Sequence, residues 1–378
     1  MRNVIILGST GSIGVQALEV VAANPDKFTV VAISAGSSNL PLLFEQAAKF
    51  NVPVIGTTAE KSAISSFSTK ARAITGPEAS SEIAAMKCDV VINGITGSIG
   101  LGPTLAALGA GNTLALANKE SLVAGGELVM KFGRDAILPV DSEHSALYQA
   151  MASGKRSEIS RAILTASGGA FRDREDLAGV TVAEALNHPT WKMGPVVTIN
   201  SATLVNKGLE IIEAHYLFDL PYSKISAVIH PQSYIHSMVE FIDGSTIAQL
   251  SPPNMKGPIG YAMGYPDRID SVTTPVDWSK SHSWDFRPID EQRFPAVALA
   301  RVAGEAGAIA TATFNAANEI AVDAFVNEKI AFTEILQVVE RVLSSGEFHG
   351  EPRDLSDVIA VEQTARSKAA ELVAAFIR

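Results

Sequence analysis

The sequence predicts an α/β protein with an N-terminal Rossmann-like doubly wound parallel sheet, a central α+β domain and a C-terminal α-helical bundle. Short apolar segments alternate with helical patterns over the first 120 residues, which is typical of a parallel sheet. Two further apolar segments joined at Asp243-Gly244 predict a hairpin, and the apolar spacing from Asp290 onward is helical. We therefore expect domains at residues 1–120, 121–256 and 289–378. Residues 257–288, rich in Pro, Gly and polar residues, are expected to be a linker.

Composition restricts the class of protein. The 378 residues exceed what one hydrophobic core usually supports. No apolar run approaches the roughly 18 residues of a membrane span, and residues 4–7 are too short for a signal peptide. A formal charge of −10 without a long basic cluster argues against nucleic acid as a partner, and the single Cys88 permits no intrachain disulfide. We expect a soluble cytoplasmic protein with no membrane partner.

Three glycines follow the first apolar segment and precede a helical pattern. Gly8, Gly11 and Gly14 allow a tight turn, and the amides at the start of the helix can bind a phosphate group. The spacing is GxxGxxG instead of the commoner GxGxxG, so a structural turn without a ligand is the alternative. This pattern indicates a dinucleotide site.

The segment after the second strand indicates which dinucleotide binds. An NAD site has Asp or Glu about twenty residues beyond the glycines, whereas residues 34–39 contain serines, Gly36 and Asn39 but no acid. Small side chains there tolerate a 2′-phosphate, which favours NADP.

A second glycine cluster at residues 94–102 is expected to line the same crevice. Lys119, after the strand at 113–117, can stabilise developing negative charge. A solvated lysine at a helix start is the alternative.

Acidic residues follow the apolar segment 137–140. In an extended backbone Asp141 and Glu143 would point to one side with Cα atoms about 7 Å apart, so both could bind one hard divalent cation. The alternative is that Asp141 or Ser142 caps a helix that has Glu143 in its first turn. Glu210, on a predicted helix at 201–218, is the expected third carboxylate, and Glu213 is expected to be dispensable.

Two segments could bind a phosphate group or close over a substrate. Ser167 precedes Gly168 and Gly169, whose backbone amides can hold a phosphate, although an ordinary turn explains the pattern equally well. The loop at 187–195 contains large apolar side chains between two prolines, as a lid would, and a tryptophan that anchors the loop to the core is the alternative.

The motifs together resemble those of the 1-deoxy-D-xylulose 5-phosphate reductoisomerase family. They occur in the family's order at residues 8–14, 117–121, 139–145, 167–169, 188–194, 201–210, 230–239 and 314–319. The resemblance implies an NADPH-dependent oxidoreductase that uses Mg²⁺ or Mn²⁺ and makes 2-C-methyl-D-erythritol 4-phosphate in non-mevalonate isoprenoid synthesis. It also implies a phosphosugar substrate and a homodimer, with residues 1–120 binding NADPH and residues 121–256 binding metal and substrate.

The resemblance also implies roles for individual residues. The metal ligands would be Asp141, Glu143 and Glu210. The cofactor would contact Thr10, Gly11, Ser12, Ile13, Gly36, Asn118, Glu120 and Gly194. The substrate would contact Lys119, Ser142, Glu143, Ser167, His188, Ser201, Asn206, Lys207 and Glu210, of which Lys119, Glu143 and His188 are the expected catalytic residues. Trp191 and Met193 match a mobile flap, and His236 matches a further active-site position. Some members of the family carry a lysine near the 2′-phosphate where this chain has Ser37-Ser38-Asn39.

The implied chemistry is a hypothesis that combines metal and nucleotide. A cation on adjacent carbonyl and hydroxyl oxygens would polarise the ketone, and retro-aldol cleavage with re-addition would precede hydride transfer from NADPH. Glu143 is the candidate for moving the hydroxyl proton. A metal-dependent 2-hydroxyacid or decarboxylating dehydrogenase would share the glycines and acids but act on carboxylates. A non-enzymatic nucleotide sensor would keep the cofactor site without needing Asp141 and Glu210.

Overall fold

A computed structural model describes residues 1–191, 193–346 and 348–376 of the chain. The strands are β1 Arg2–Leu7, β2 Phe28–Ala35, β3 Val54–Thr57, β4 Arg72–Thr75, β5 Val90–Asn93, β6 Thr113–Leu116, β7 Ile137–Pro139, β8 Ile159–Ala166, β9 Ile225–Ile229, β10 Ile235–Phe241, β11 Thr246–Leu250 and β12 Arg287–Pro288. The helices are α1 Ser12–Ala23, α2 Leu40–Lys49, α3 Ala79–Ala84, α4 Leu101–Gly109, α5 Glu120–Gly125, α6 Glu127–Met130, α7 Ser142–Met151, α8 Val182–Ala185, α9 Pro195–Ala202, α10 Val205–Phe218, α11 Lys256–Gly264, α12 Ala296–Ala306, α13 Ala308–Val326, α14 Glu334–Leu343 and α15 Leu355–Phe376.

The chain divides into two compact units. The first unit comprises Met1–Ser121, Val129–Ser145 and Asn254–Thr274, and the second comprises Leu122–Leu128, Ala146–Pro253 and the chain from Pro275 onward. The predicted division at residues 120, 256 and 288 is a different one and stays a prediction. None of the helices in the described part of the chain has both the length and the apolar character needed to cross a membrane.

The first unit contains the predicted parallel sheet. Its strand order is β4-β3-β2-β1-β5-β6-β7, and all neighbouring pairs are parallel. Residues 4–7 of β1 are completely buried, because helices cover both faces of such a sheet and leave no polar face along the strand. The strand order reverses between β1 and β5, and ligands of doubly wound sheets bind at this kind of reversal.

Helix α11 is an element that the sequence pattern did not predict. It lies in the range expected to be a linker, yet it packs in the first unit against α1, β6 and β7. Lys256 forms an ion pair with Glu19 of α1 at 2.7 Å, and Arg2 donates to the Met263 carbonyl at 2.7 Å. Three glycines and a proline lower the helix propensity of this segment, so tertiary packing stabilises it.

The second unit combines a mixed sheet with helices. The strand order is β11-β10-β8-β9-β12, in which β8 and β9 are parallel and the other pairs are antiparallel. The predicted hairpin is therefore confirmed as β10 and β11. Helices α12 to α15 form the predicted C-terminal bundle, in which the alanine-rich α13 packs between α14 and α15. Small side chains let α13 approach its neighbours closely, which is why it is buried along most of its length.

The single helix predicted at residues 201–218 is two helices. Leu204 has φ of +60° and lies between α9 and α10. A leucine in this left-handed conformation interrupts the helical hydrogen bonds and changes the direction of the chain. Ser201 therefore lies on α9, whereas Asn206, Lys207 and Glu210 lie on α10.

Candidate functional site

The glycine turn of the first unit has the close packing that a phosphate-binding turn requires. Gly8 has φ of +73°, and a Cβ atom on it would lie 2.7 Å from the Gly94 carbonyl oxygen. A Cβ atom on Gly14 would lie 2.4 Å from the Gly8 carbonyl, so neither glycine can be replaced without moving the turn. Helix α1 begins after Gly11 with no side-chain cap. Its first amides are therefore available to an anionic ligand, and the roles of residues 10–13 toward the cofactor stay predictions.

The second glycine cluster lies beside the first. The contact between Gly8 and Gly94 brings the turns after β1 and β5 together, as expected for loops that line one crevice. Asn118 holds this second turn, because its Nδ2 donates to the carbonyls of Ile95 at 2.7 Å and Gly97 at 2.8 Å. It also donates to Glu120 at 3.0 Å. The Asn118 side chain is buried, and its Oδ1 accepts from the Ser121 amide at 2.9 Å, so a role toward the cofactor would act through its backbone or the turn it holds.

The segment after β2 divides into a buried and an exposed part. Ser34 is fully buried and shares a hydrogen bond of 2.9 Å with Ser80, so it belongs to the core. Asn39 accepts from the Leu42 amide at 3.3 Å and caps α2. Gly36, Ser37 and Ser38 are exposed and lie between these two positions. These three residues are the part of the segment that is open to solvent.

Lys119 and Asp141 form an ion pair in the first unit. The Lys119 Nζ atom lies 2.5 Å from Asp141 Oδ2, and their side chains are 12% and 15% exposed. Lys119 follows β6 and Asp141 follows β7, and these strands are parallel neighbours, so both residues lie at the carboxyl edge of the sheet. The pair neutralises a carboxylate that is largely shielded from water, which lowers the cost of keeping it charged.

The backbone at Asp141 differs from the predicted extended conformation. Helix α7 begins at Ser142, so Glu143 lies in its first turn, and the argument from an extended strand was wrong. Asp141 Oδ1 accepts from the Ser142 amide at 2.9 Å, and the Asp141 carbonyl accepts from Ser145 at 2.8 Å. Asp141 therefore stands at the cap position, as the alternative predicted, while its second oxygen contacts Lys119.

The neighbours of Asp141 bring further oxygen and nitrogen atoms to this turn. The Ser142 hydroxyl donates to Glu143 Oε2 at 2.6 Å. His144 is fully buried, and its Nδ1 atom lies 3.9 Å from Asp141 Oδ2. In the first unit the structure thus brings together Lys119, Asp141, Ser142 and Glu143, and carboxylate and hydroxyl oxygens of this kind suit Mg²⁺ or Mn²⁺.

In the second unit, the turn after β8 packs directly on helix α9. Gly168 and Gly169 both have positive φ angles, of +82° and +67°. A Cβ atom on Gly169 would lie 2.4 Å from the Ser201 carbonyl oxygen, so only glycine permits this approach. Ser167 and Ser201 are brought near each other as a result.

His188 connects the two serines. Its Nε2 atom lies 2.9 Å from Ser167 Oγ and 3.1 Å from Ser201 Oγ, and its Nδ1 atom accepts from the amides of Thr190 at 3.1 Å and Trp191 at 2.8 Å. Because Nδ1 accepts, the proton of the neutral ring resides on Nε2 and is donated toward the serines. Burial, together with the nearby charge of Arg172, lowers the pKa of His188 from 6.5 to about 4.

Helix α10 contributes a buried cluster of charged and polar side chains. Glu210 is 0% exposed, and its two carboxylate oxygens accept from Asn206 and Lys207. Lys207 also donates to the Thr165 carbonyl at 2.5 Å. Isolated buried charges are costly, so this compensated group indicates a position where charge is required.

Two residues near these groups have surroundings that were not predicted from the sequence. Glu213 is 0% exposed, and its expected dispensability stays a prediction. The sequence signal for this burial was the position of Glu213 three residues after Glu210, on a helix with apolar residues on all sides. Arg172 donates to the Ser167 carbonyl at 3.1 Å, and a basic residue soon after a Gly-Gly turn could have indicated it.

The predicted flap residues lie in the second unit. The rings of Trp191 and His236 are 6.3 Å apart, and His236 Nε2 lies 3.1 Å from the Ser251 carbonyl. Trp191 and Met193 are partly buried, and Gly194 is exposed at the start of α9. Lys192, which belongs to the same sequence motif, lies outside the described residues.

Comparison with known protein families covers most of the chain. Residues 4–126 match the model described as 1-deoxy-D-xylulose 5-phosphate reductoisomerase. Residues 137–218 match the C-terminal domain model of the same enzyme, and residues 250–368 match a further model described as DXP reductoisomerase C-terminal domain.

Individual relatives extend over nearly the whole length. A 1-deoxy-D-xylulose 5-phosphate reductoisomerase of Kitasatospora griseola is 52% identical over 98% of this chain and 100% of its own length. The enzyme of the same name from Beutenbergia cavernae is 53% identical over 99% of this chain and 98% of its own.

Solved structures share the fold. A DOX-P reductoisomerase crystallised with NADPH, fosmidomycin and magnesium has a TM-score of 0.92 and 38% identity, covering 99% of this chain and 98% of its own. The Zymomonas mobilis 1-deoxy-D-xylulose 5-phosphate reductoisomerase in complex with NADPH has a TM-score of 0.90 and 40% identity, covering 98% and 99%.

Proposed function

Because this chain belongs to the 1-deoxy-D-xylulose 5-phosphate reductoisomerase family, we propose that it converts 1-deoxy-D-xylulose 5-phosphate to 2-C-methyl-D-erythritol 4-phosphate. It is an NADPH-dependent oxidoreductase that also requires a divalent metal ion. The observation in this chain that best supports the proposal is the Lys119–Asp141 ion pair, with Ser142 and Glu143 beside it at the carboxyl edge of the parallel sheet.

The glycine turn of the first unit fits the cofactor. The uncapped start of α1 leaves amide donors for a pyrophosphate, and Gly8 and Gly14 permit the tightly packed turn that precedes them. Residues 10–13 would hold this part of the cofactor, and Gly36 with its exposed serine neighbours would accommodate the 2′-phosphate. Asn118, Glu120 and Gly194 are the further proposed contacts. When bound, NADPH supplies the hydride for the reduction.

The carboxylates fit a hard divalent cation. Asp141, Glu143 and Glu210 are the proposed ligands, because all three offer carboxylate oxygens and two of them, Asp141 and Glu210, already have a lysine that compensates their charge. When bound, Mg²⁺ or Mn²⁺ supplies Lewis-acid polarisation of the substrate carbonyl.

Each of the two lysines that neutralise these carboxylates has a second proposed role. Lys119 neutralises Asp141, and Lys207 neutralises Glu210. A cation on these carboxylates would take over their neutralisation, since it brings two positive charges to the same oxygens. We propose that both ammonium groups are then available to the substrate, Lys119 at its reacting oxygens and Lys207 at its phosphate.

The residues of the first unit would act on the reacting carbons. Retro-aldol cleavage followed by re-addition places negative charge on substrate oxygens, which the Lys119 ammonium would stabilise. Glu143 is the proposed acceptor and donor of the hydroxyl proton, and Ser142, which already donates to it, would keep it oriented.

The residues of the second unit would hold the phosphate end of the substrate. Ser167, Ser201, Asn206 and Lys207 are the proposed phosphate contacts. His188 would orient both serines through its Nε2 proton. It would also contact the substrate itself, as a neutral ring that adds no charge to the site. Trp191 and Met193 would close over the substrate and exclude water, and His236 would support Trp191.

We further propose a cytoplasmic homodimer that binds a phosphosugar and neither nucleic acid nor membrane. The net charge of −10 supports the absence of nucleic acid as a partner.

The decisive experiment follows NADPH oxidation with 1-deoxy-D-xylulose 5-phosphate, with and without Mg²⁺. We expect metal-dependent oxidation of NADPH with this substrate, little oxidation of NADPH with 2-oxoacids and little reduction of NADP⁺ with 2-hydroxyacids. Turnover of carboxylate substrates instead, or nucleotide binding without any turnover, would overturn the proposal.

A further inference from the structure

The sequence motif at residues 314–319 has no place in the function proposed above. Its residues lie on α13 in the C-terminal bundle, and Asn318 is 0% exposed. Asn318 Nδ2 donates a buried hydrogen bond of 2.9 Å to Asn200 Oδ1 on α9, which is 118 residues away along the chain. A side-chain amide placed this deeply costs free energy unless it makes a specific contact.

Asn200 is the sequence neighbour of Ser201, but the two side chains have different partners. Asn200 contacts α13, whereas the Ser201 hydroxyl lies 3.1 Å from His188 Nε2. Helix α9 is also fixed from another direction, because Gly169 packs against the backbone of Ser201. A rotation or a shift of α9 along its axis would therefore change the position of the Ser201 hydroxyl directly.

The amide pair lies beside several buried apolar side chains. The α13 neighbours Phe314, Ala317 and Ala321 are fully buried. Among the described residues, Asn318 Oδ1 has no hydrogen-bond partner. Asparagine at this position therefore leaves one buried polar atom unpaired, a cost that an apolar side chain would avoid. Apolar packing tolerates small sliding of one helix on another, whereas a hydrogen bond between two amides selects one register.

We infer that Asn318 is a positioning residue for substrate binding, acting through Asn200 to hold α9 in the register that places Ser201 beside His188 and Ser167. The expected effect on the KM rests on the proposed function, in which Ser167 and Ser201 bind the phosphate end of the substrate. Its structural consequence, a less constrained α9, does not depend on that function.

The chain offers a matched control on the same helix. Asn315 is 2% exposed and donates to Glu319 at 3.0 Å, so its hydrogen bond stays within α13. Asn318→Ala and Asn315→Ala each remove one buried amide from α13. Only Asn318→Ala removes the bond to α9.

The first measurement is hydrogen exchange of the amides at residues 195–203 in the full chain without ligands. We expect faster exchange in Asn318→Ala than in the wild type, and exchange in Asn315→Ala like that of the wild type. Unchanged exchange in Asn318→Ala would overturn the inference, whether or not the chain has the proposed activity.

The second measurement is steady-state kinetics with NADPH and Mg²⁺. For Asn318→Ala we expect the KM for 1-deoxy-D-xylulose 5-phosphate to rise about tenfold, as for the loss of one hydrogen bond, with kcat changed less than about twofold. An equal rise in Asn315→Ala would show a general effect of destabilising the bundle and would overturn the inference. Absence of turnover in the wild type would refute the proposed function, and hydrogen exchange alone would then decide the inference.

A double variant separates positioning from stability. Asn200→Ala combined with Asn318→Ala leaves neither amide of the pair, so we expect its unfolding midpoint to recover toward that of the wild type. The KM is expected to stay raised, because α9 still lacks its bond to α13. Recovery of the KM together with the midpoint would refute the positioning role, and this variant also serves if Asn318→Ala alone does not fold.

Discussion

His188 Nδ1 accepts a hydrogen bond of 2.8 Å from the backbone amide of Trp191. A protonated ring cannot accept it, so this bond exists only with the neutral form. Burial lowers the pKa of His188 from 6.5 to about 4, which matches the geometry. The loop that begins at His188 is therefore held by the uncharged ring, and its stability must depend on pH.

The first prediction concerns this dependence. The unfolded chain binds a proton at His188 that the folded chain does not, so the contribution to the free energy of unfolding is complete above pH 6.5. It is lost as the pH falls from 6.5 toward 4. Denaturant unfolding at several pH values should therefore show a steeper acid loss in the wild type than in His188→Gln. The exposed His349→Gln should behave like the wild type, and equal slopes in wild type and His188→Gln would contradict the prediction.

The second prediction tests the metal ligands. Asp141→Asn and Glu210→Gln should each lower kcat by roughly two orders of magnitude or more, because each would weaken the hold on the cation that is proposed to polarise the substrate. NADPH affinity, measured by fluorescence titration, should survive. Glu213 is unsuitable as the control because it is buried, so the exposed Glu305→Gln replaces it. A loss of activity in Glu305→Gln equal to that in Glu210→Gln would count against the ligand assignment.

The third prediction concerns the exchange of charge partners at Glu210. Lys207→Gln leaves a buried carboxylate without its ammonium and should cost about 3–5 kcal/mol of stability without metal. If a cation binds Glu210, Mg²⁺ or Mn²⁺ should raise the melting temperature of Lys207→Gln more than that of the wild type. Lys224→Gln, which loses a hydrogen bond of 3.2 Å to the Ile159 carbonyl, should show no such extra gain. Equal metal shifts in all three proteins would refute the idea.

The fourth prediction uses two glycines with the same backbone conformation. Gly169 and Gly179 both have φ of +67°, but only Gly169 has a backbone atom where a Cβ would stand. Gly179→Ala should cost roughly 1–2 kcal/mol of stability, the price of the left-handed conformation alone, and leave the KM unchanged. Gly169→Ala should cost more and raise the KM for the phosphosugar, because it displaces Ser201. If Gly169→Ala and Gly179→Ala had equal effects on the melting temperature and on the KM, the contact of Gly169 with Ser201 would have no role in placing Ser201.

The fifth prediction addresses the choice of nucleotide. Ser37 is exposed after β2, and Ser37→Glu would bring a carboxylate toward the 2′-phosphate. The Kd for NADPH should rise by about tenfold or more while that for NADH changes little, as fluorescence titration would measure. Ser65→Glu, at an exposed serine after β3, is the control. If Ser37→Glu left the Kd for NADPH unchanged, the 2′-phosphate would not bind at this segment.

Much of the candidate site could be predicted because its parts are local. The strand, glycine turn and helix around Gly8 depend on residues a few positions apart, as does the hairpin at Asp243-Gly244. The chemical character of each group, such as acids after β7 or serine and glycine after β8, is likewise present in short segments. The motifs that resemble the family needed no tertiary information.

The tertiary structure decided what these segments do together. Local pattern left Asp141 and Glu143 open between strand and cap, and the packing of β7 and α7 selected the cap. It also interrupted the helix at Leu204, stabilised α11 within the first unit and buried Glu213. The sequence alone determined the strand, glycine turn and helix around Gly8, the hairpin at Asp243-Gly244 and the chemistry that each motif offers. Two contacts arise only when distant segments are buried together: the hydrogen bond between Asn318 and Asn200, and the contact of Gly169 with Ser201. Burial of apolar surface stabilises such long-range contacts, and no short segment of sequence specifies them.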